Sequence, residues 1–189
     1  MLKNIVSPRQ DLTFSQLKIY YEGKGFNLND KFESSLELYT PEGKYNYVAY
    51  LLADENSISI KVAKYAGCDK YDLIENEEYG YCSLIKATDR ILDKLKVENK
   101  TLARITDKKR IQKNIVDATA LREAVINAIV HNDYSEELSP VIEIYEDKIV
   151  VTSYGGLLSG QIEEDFFGCM SMPRNRELMR VFRDLDLVE

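Results

Sequence analysis

Hydrophobic and polar positions fall into two periods along the chain. From Cys82 to Val97, the residues Leu84, Ile85, Thr88, Ile91, Leu92 and Leu95 recur at helical spacing, which predicts an amphipathic helix with one buried face. Ile58 to Ala63 alternates at period two and predicts a strand. Upstream, Phe14 to Tyr21 reads as a short amphipathic helix ended by Gly23 and Gly25, and Asn29-Asp30 caps a second short helix. The turn Pro41 to Lys44 precedes Tyr47 to Leu52, which is helical by propensity. The acidic, turn-rich stretch from Gly67 to Gly80 predicts a loop. After Asn99, Thr101 to Ile105 and Ile111 to Val116 form a predicted hairpin about Asp107-Lys108-Lys109. Asp117 caps a long helix through Val130, Pro140 to Tyr145 and Lys148 to Ser153 make a second hairpin about Glu146-Asp147, and a helix from about Asn175 to Phe182 follows.

This order predicts an α/β (α+β) fold: an N-terminal α/β subdomain over 1–98, then a unit over 99–189 in which helix 117–131 packs on an antiparallel or mixed sheet. Four prolines and no Ser/Gly-rich linker imply that the two parts share an interface. The length of 189 residues with 44% hydrophobic content can supply one sizeable core or two small ones in contact. The net charge of −7 is divided almost evenly, −3 before residue 99 and −4 after it, so no basic half stands out to grip nucleic acid. Thirteen tyrosines come without a basic groove, which assigns most of them to core or interface rather than to base stacking.

Three widely spaced cysteines (Cys68, Cys82, Cys169) and one histidine, His131, make neither a paired disulfide framework nor a zinc site, which fits a cytoplasmic protein. No apolar run reaches the length of a membrane span, the N-terminus lacks a signal-peptide core, and no membrane partner is expected. The single histidine excludes an HExxH zincin, and no GxxxxGK[ST] or GxGxxG motif occurs.

The segment Ala120 to Asp133 is apolar around most of the helix, and against it Glu123, Asn127 and His131 stand out at i, i+4 and i+8. Each step drifts only about 40°, so the three form one polar stripe that must face solvent, a cavity or partners. In one reading the stripe lines a pocket, with Asn127 offering an amide oxygen to Mg²⁺ and Glu123 orienting or deprotonating a water. In the other it is a solvent-facing stripe with a Glu123 to Asn127 hydrogen bond and a frayed His131. His131 and Asp133 are a weaker candidate general-base pair, with no nucleophile in a matching setting. Arg174, Arg176, Arg180 and Arg183 cluster beside Asn175, either to hold an anion or to pair with Glu177, Asp184 and Asp186.

The segments Ala120 to Ala128, His131-Asn132-Asp133-Tyr134-Ser135, Thr152-Ser153-Tyr154-Gly155-Gly156-Leu157 and Pro173-Arg174-Asn175, with Tyr45 to Asn56 upstream, resemble the C-terminal region of bacterial RecG-like, ATP-dependent DNA helicase-related proteins. That family comprises transcriptional regulators whose chains begin with a Schlafen-type AlbA-like DNA-binding domain, and its C-terminal region is related to the GHKL (HATPase) fold. The resemblance implies a GHKL-like α/β sandwich over 99–189, with Glu123 as catalytic base, Asn127 as Mg²⁺ ligand, and Asn127, His131, Asp133, Ser153, Gly155, Gly156, Arg174 and Asn175 around ATP. Ser153 stands where the family's box opens with Asp, and Leu157 where it ends with Gly. The chain ends near the point where the family continues into a further Gly-rich segment, so tight ATP binding is not expected of it; without the AlbA-like domain that the resemblance implies, it reads as an excised fragment, for which Met1 is expected to be an artificial start.

The expected function is therefore a regulatory, nucleotide-site-like module of a transcriptional regulator, with ATP binding or hydrolysis a property of the intact protein that is weak or absent in this fragment. No P-loop motor accompanies the helicase label. The alternative is a non-catalytic interaction or dimerisation module that has kept the fold and lost the ligand. A homodimer is the partner carried with these readings, and DNA is expected only through a domain that this chain lacks.

Overall fold

The computed structural model describes residues 1–99, 104–106, 109–111, 114–157 and 173–188. A 3-10 turn over Leu2–Asn4 opens the chain, followed by helices α1 (Ser15–Gly23), α2 (Phe32–Ser35) and α3 (Tyr47–Leu52). Strands β1 (Ser59–Ala66) and β2 (Asp72–Gly80) then lead to α4 (Leu84–Glu98). The short strands β3 (Arg104–Thr106) and β4 (Lys109–Ile111) precede α5 (Ala118–His131), a 3-10 turn over Tyr134–Glu136, β5 (Val141–Ile144), β6 (Ile149–Thr152) and α6 (Arg176–Asp184).

Among the described residues there are six α-helices and one four-stranded mixed sheet, in the order β2-β1-β5-β6, with β3 and β4 as a separate antiparallel pair. The predicted α/β class is correct. β1 runs parallel to β5, with Lys61 opposite Val141 and Lys64 opposite Ile144, while the outer pairs β1–β2 and β5–β6 are antiparallel. The sheet therefore takes two strands from each side of residue 98. Ile60 and Val62 of β1 and Ile142 and Ile144 of β5 are buried in a core with Ile85, Ile91 and Leu95 of α4 and Val125, Ile126 and Ile129 of α5. That core continues without a break into Leu17, Leu51, Leu52 and Phe182.

Local chemistry fixes the element ends. Asn46 caps α3 by accepting from the Ala49 amide at 3.0 Å, and all six residues of this helix are buried. α1 has no cap of its own; the carboxylate of the distant Asp54 accepts from the Ser15 and Gln16 amides at 2.8 and 2.7 Å. Tyr21 of α1 donates to Asp184 at 2.8 Å and ties the helix to α6.

Of the stretch 67–80, expected as a loop, residues 67–71 form the turn and residues 72–80 form β2 instead. Its acids are what the sequence pattern misreads. Lys94 of α4 pairs with Glu75 and Glu77 of β2 and with Glu98, so the charges of this edge strand are neutralised from the helix layer. At its end Gly80 passes so close to Ile58 that an added Cβ would lie 2.2 Å from the Ile58 carbonyl oxygen. The hairpin after Asn99 is present, but its second strand is Lys109–Ile111 rather than 111–116: Lys109, expected in the turn, is in the strand, and Ile115 and Val116, expected in the strand, are not; residues 100–103, 107–108 and 112–113 lie outside the described residues, as does Cys169.

Candidate functional site

The candidate stripe sits on α5. Asp117 begins the helix as predicted, its Oδ1 accepting from the Thr119 and Ala120 amides at 2.9 and 3.0 Å. Leu121, Val125, Ile126, Ile129 and Val130 are buried, which turns Glu123 and Asn127 outward to solvent and leaves His131 half-buried. No hydrogen bond joins Glu123 to Asn127 among the described residues, so each keeps its oxygen available. Eight residues at 1.5 Å rise put Glu123 about 12 Å from His131 along the axis.

The C-terminal end of α5 is where most of the other candidates converge. A helix leaves its last carbonyls without internal partners. Here Tyr134 donates its hydroxyl to the Ile129 carbonyl at 2.9 Å, and Asn175 donates to the carbonyls of Val130 and Asn132, both at 2.8 Å. Asn132 is fully buried; its amide donates to the Leu138 carbonyl at 2.7 Å and its Oδ1 accepts from the Tyr154 amide at 2.8 Å. The Asp133 amide returns a bond to the Tyr154 carbonyl at 2.9 Å. The segment 153–157 is thus tied to the end of α5 on both sides of Tyr154.

Arg174 closes the junction. Its Nη1 lies 3.0 Å from Oδ2 of Asp133 and its Nη2 donates to the Gly156 carbonyl. Between them Gly155 adopts φ +110°, and an added Cβ would lie 2.9 Å from Nη2 of Arg174 and 3.0 Å from Cβ of Asp133. Glycine is required here by backbone conformation and by the close approach of the chain's own side chains. An added Cβ at Gly156 would meet nothing within 4 Å, and Ser153 is exposed in the same segment.

Electrostatics follow from this packing. Hydrogen bonding to the Ser135 hydroxyl and amide, with the Arg174 charge, holds the Asp133 carboxyl below its ordinary value. Burial, with the same Arg174 charge, lowers the His131 imidazole below 6.5. Asp133 is engaged by Ser135 and Arg174, and no hydrogen bond joins it to His131 among the described residues, so the candidate base pair does not form.

The arginine cluster also needs correction. Arg174 pairs with Asp133, and Arg180 donates to the Ser35 carbonyl at 2.8 Å. Glu177 pairs with Lys3 at 3.2 Å, Asp184 accepts from Tyr21, and Asp186 pairs with Lys24 at 3.2 Å. The expected pairing of the arginines with these three acids is absent among the described residues, because the acids of α6 and of the residues after it turn to Lys3, Tyr21 and Lys24 of the N-terminal segment.

The structure therefore brings His131, Asp133, Gly155, Gly156, Arg174 and Asn175 to one junction with Ser153 beside it, and leaves Glu123 and Asn127 on the exposed α5 face leading away from it. Sequence reasoning missed Asn132, Tyr134 and Tyr154, the hub of the junction. Among the described residues no group of three or more His, Cys, Asp or Glu side chains is placed to hold a metal, and no helix is long and apolar enough to cross a membrane.

No curated protein matches the chain. A crystal structure of the DIP2311 protein from Corynebacterium diphtheriae is similar over 100% of this chain, with a TM-score of 0.76 and 17% sequence identity, a likeness of fold. The chain spans 40% of the length of that protein. Residues 138–189 match an HATPase-class family described as "Putative ATP-dependent DNA helicase recG C-terminal". The matched stretch holds Ser153, Gly155, Gly156, Arg174 and Asn175 and leaves Glu123, Asn127 and His131 upstream of it. From Leu138 onward, the chain is similar to the ATPase-like C-terminal region of RecG-like proteins.

Proposed function

We propose that the chain is a nucleotide-site-like module of a bacterial transcriptional regulator, with ATP and Mg²⁺ as ligands of the intact protein and DNA contacted by a separate, Schlafen-type AlbA-like domain. One observation carries this reading. The helix bearing the exposed Glu123 and Asn127 is bonded at its end, through Asn132 and Asp133, to the glycine segment of the stretch that matches the ATPase-like family.

The donor set fits. Mg²⁺ takes hard oxygen donors and keeps several ligands from water and substrate phosphates, and the exposed amide of Asn127 offers one such oxygen. When bound, Mg-ATP supplies a phosphoryl group activated for transfer to water. Asn127 would hold the metal, Glu123 one turn earlier would take a proton from water, and the open side of Gly156 would let backbone approach the ligand. Asp133 and Arg174 hold the glycine segment in place and Asn175 holds the end of α5, because their polar atoms are already engaged by protein.

That engagement also favours a second reading, an interaction or dimerisation module that has kept the fold without the ligand. Isothermal titration of Mg-ATP, with ADP and GTP beside it, into this chain and into one extended beyond Glu189 separates the two. Binding by the extended form, with turnover abolished and binding spared in Glu123→Ala, supports the nucleotide site. Silence from both forms, with a sizing-column mass indifferent to nucleotide, supports the module without a ligand.

A further inference from the structure

A second concave site lies at the other end of the sheet, away from the α5 junction. β1 and β5 are parallel neighbours, and the connections leaving their carboxyl ends diverge, β1 turning outward to β2 and β5 turning outward to β6. Neighbouring strands whose continuations part in this way leave a crevice at their carboxyl ends, the usual place for a ligand in an open α/β sheet. Here the last ladder pair is Lys64 opposite Ile144; beyond it the Tyr65 and Tyr145 rings stack with centroids 5.2 Å apart, and the Glu146 amide donates to the Gly67 carbonyl at 2.9 Å.

The gap opens into a cavity of about 510 Å³, within the range of small-molecule sites. Ile74, Ile115 and Ile144 supply apolar walls, and Glu98, the last residue of α4, stands beside them. Ile74 is the extra residue where the β1–β2 register slips between Lys64 and Tyr65, and a bulge of this kind re-aims a side chain. Asn99 holds the adjoining wall by exchanging hydrogen bonds with Val116, at 2.9 and 3.0 Å.

Charge decides what the cavity takes. Lys64, the one basic side chain in the lining among the described residues, lies 2.7 Å from Glu98, which Lys94 also contacts at 3.1 Å. Among the described residues, Lys70 pairs with Glu143, and Lys148 lies 5.0 Å from the centre of the Tyr145 ring. Glu146 lines the cavity, is exposed, and has no ion pair or side-chain hydrogen bond among the described residues. The terminal carbonyls of α4 add partial negative charge.

We propose that this cavity binds a small organic cation, an amine on a compact hydrophobic body, with its ammonium at Glu146 and its body between Ile74, Ile115 and Ile144. The test is amide NMR of the whole chain titrated with phenethylamine, phenethyl alcohol and phenylacetate, which share one ring and differ in charge. Saturable shifts at Gly67, Ile74 and Glu146 are expected with the amine and not with the acid. Glu146→Lys should weaken amine binding by about tenfold or more, Glu146→Gln by less, and Ala66→Phe, which fills the cavity from an exposed position, should abolish it. Absence of saturable shifts, equal binding of phenylacetate, or binding indifferent to Ala66→Phe would overturn the assignment. None of these outcomes depends on nucleotide.

Discussion

Asn175 is 2% exposed, and its side-chain amide satisfies two carbonyls at the end of α5. Asn175→Ala removes both bonds and strands two buried acceptors, so we expect a loss of about 2–4 kcal/mol, read as a fall in the urea midpoint with an unchanged m-value. A similar fall in Asn132→Ala would mark the two as parts of one junction. His131 gives the junction a pH dependence. Its folded pKa lies below 6.5, so the unfolded chain takes up the proton first. Stability is full above about pH 6.5 and declines as the pH falls toward the depressed folded value. His131→Gln should flatten that limb of a stability–pH curve and leave the lower one, where Asp133 protonates beneath 3.8. The polar stripe on α5 was legible in the sequence because helical spacing alone sets it. The hub was not, since Asn132 is flanked by two more conspicuous residues and its partners Leu138 and Tyr154 are brought to it only by the fold.

At the scale of elements, the instructive case is β2. A strand at the edge of a sheet needs one good face and tolerates charge on its outer side, where charge also discourages pairing with other chains. Local composition here reads as loop, and the strand exists because β1 offers a complete ladder and α4 offers Lys94. We expect Lys94→Met to leave Glu75, Glu77 and Glu98 facing one another with, among the described residues, Lys64 beside Glu98 to compensate. The loss should be about 1 kcal/mol, because Glu75 and Glu77 remain well exposed, and high salt should shrink it. Thermal melts at low and high ionic strength would check both parts, and a salt-independent loss would assign the effect to packing. α4 and α5 needed no such partner to be legible: each carries its own apolar face, and Asp117 marks the start of α5.

For the whole molecule, the boundary expected near residue 98 separates strands that are hydrogen-bonded to one another, since β1 and β5 lie side by side in the centre of one sheet. Sequence patterning could supply the strands but not this adjacency, because parallel neighbours share no turn that would announce them. The same pairing has a consequence for how the chain reaches its structure. Lys64 and Ile144 are 80 positions apart, whereas Ala66 and Asp72 at the head of the β1–β2 hairpin are separated by six. Closing a flexible loop of the longer span costs roughly 4 kcal/mol of chain entropy before any contact repays it. The hairpin and the two long helices should therefore assemble first, with the central parallel ladder zipping after the rate-limiting barrier. Stopped-flow chevrons of Ile142→Ala would then show faster unfolding with nearly unchanged refolding; a matching loss in the refolding limb would place the ladder inside the nucleus. A molecule so ordered in time would leave the acidic hairpin waiting, for a measurable interval, for the strand that makes it an edge.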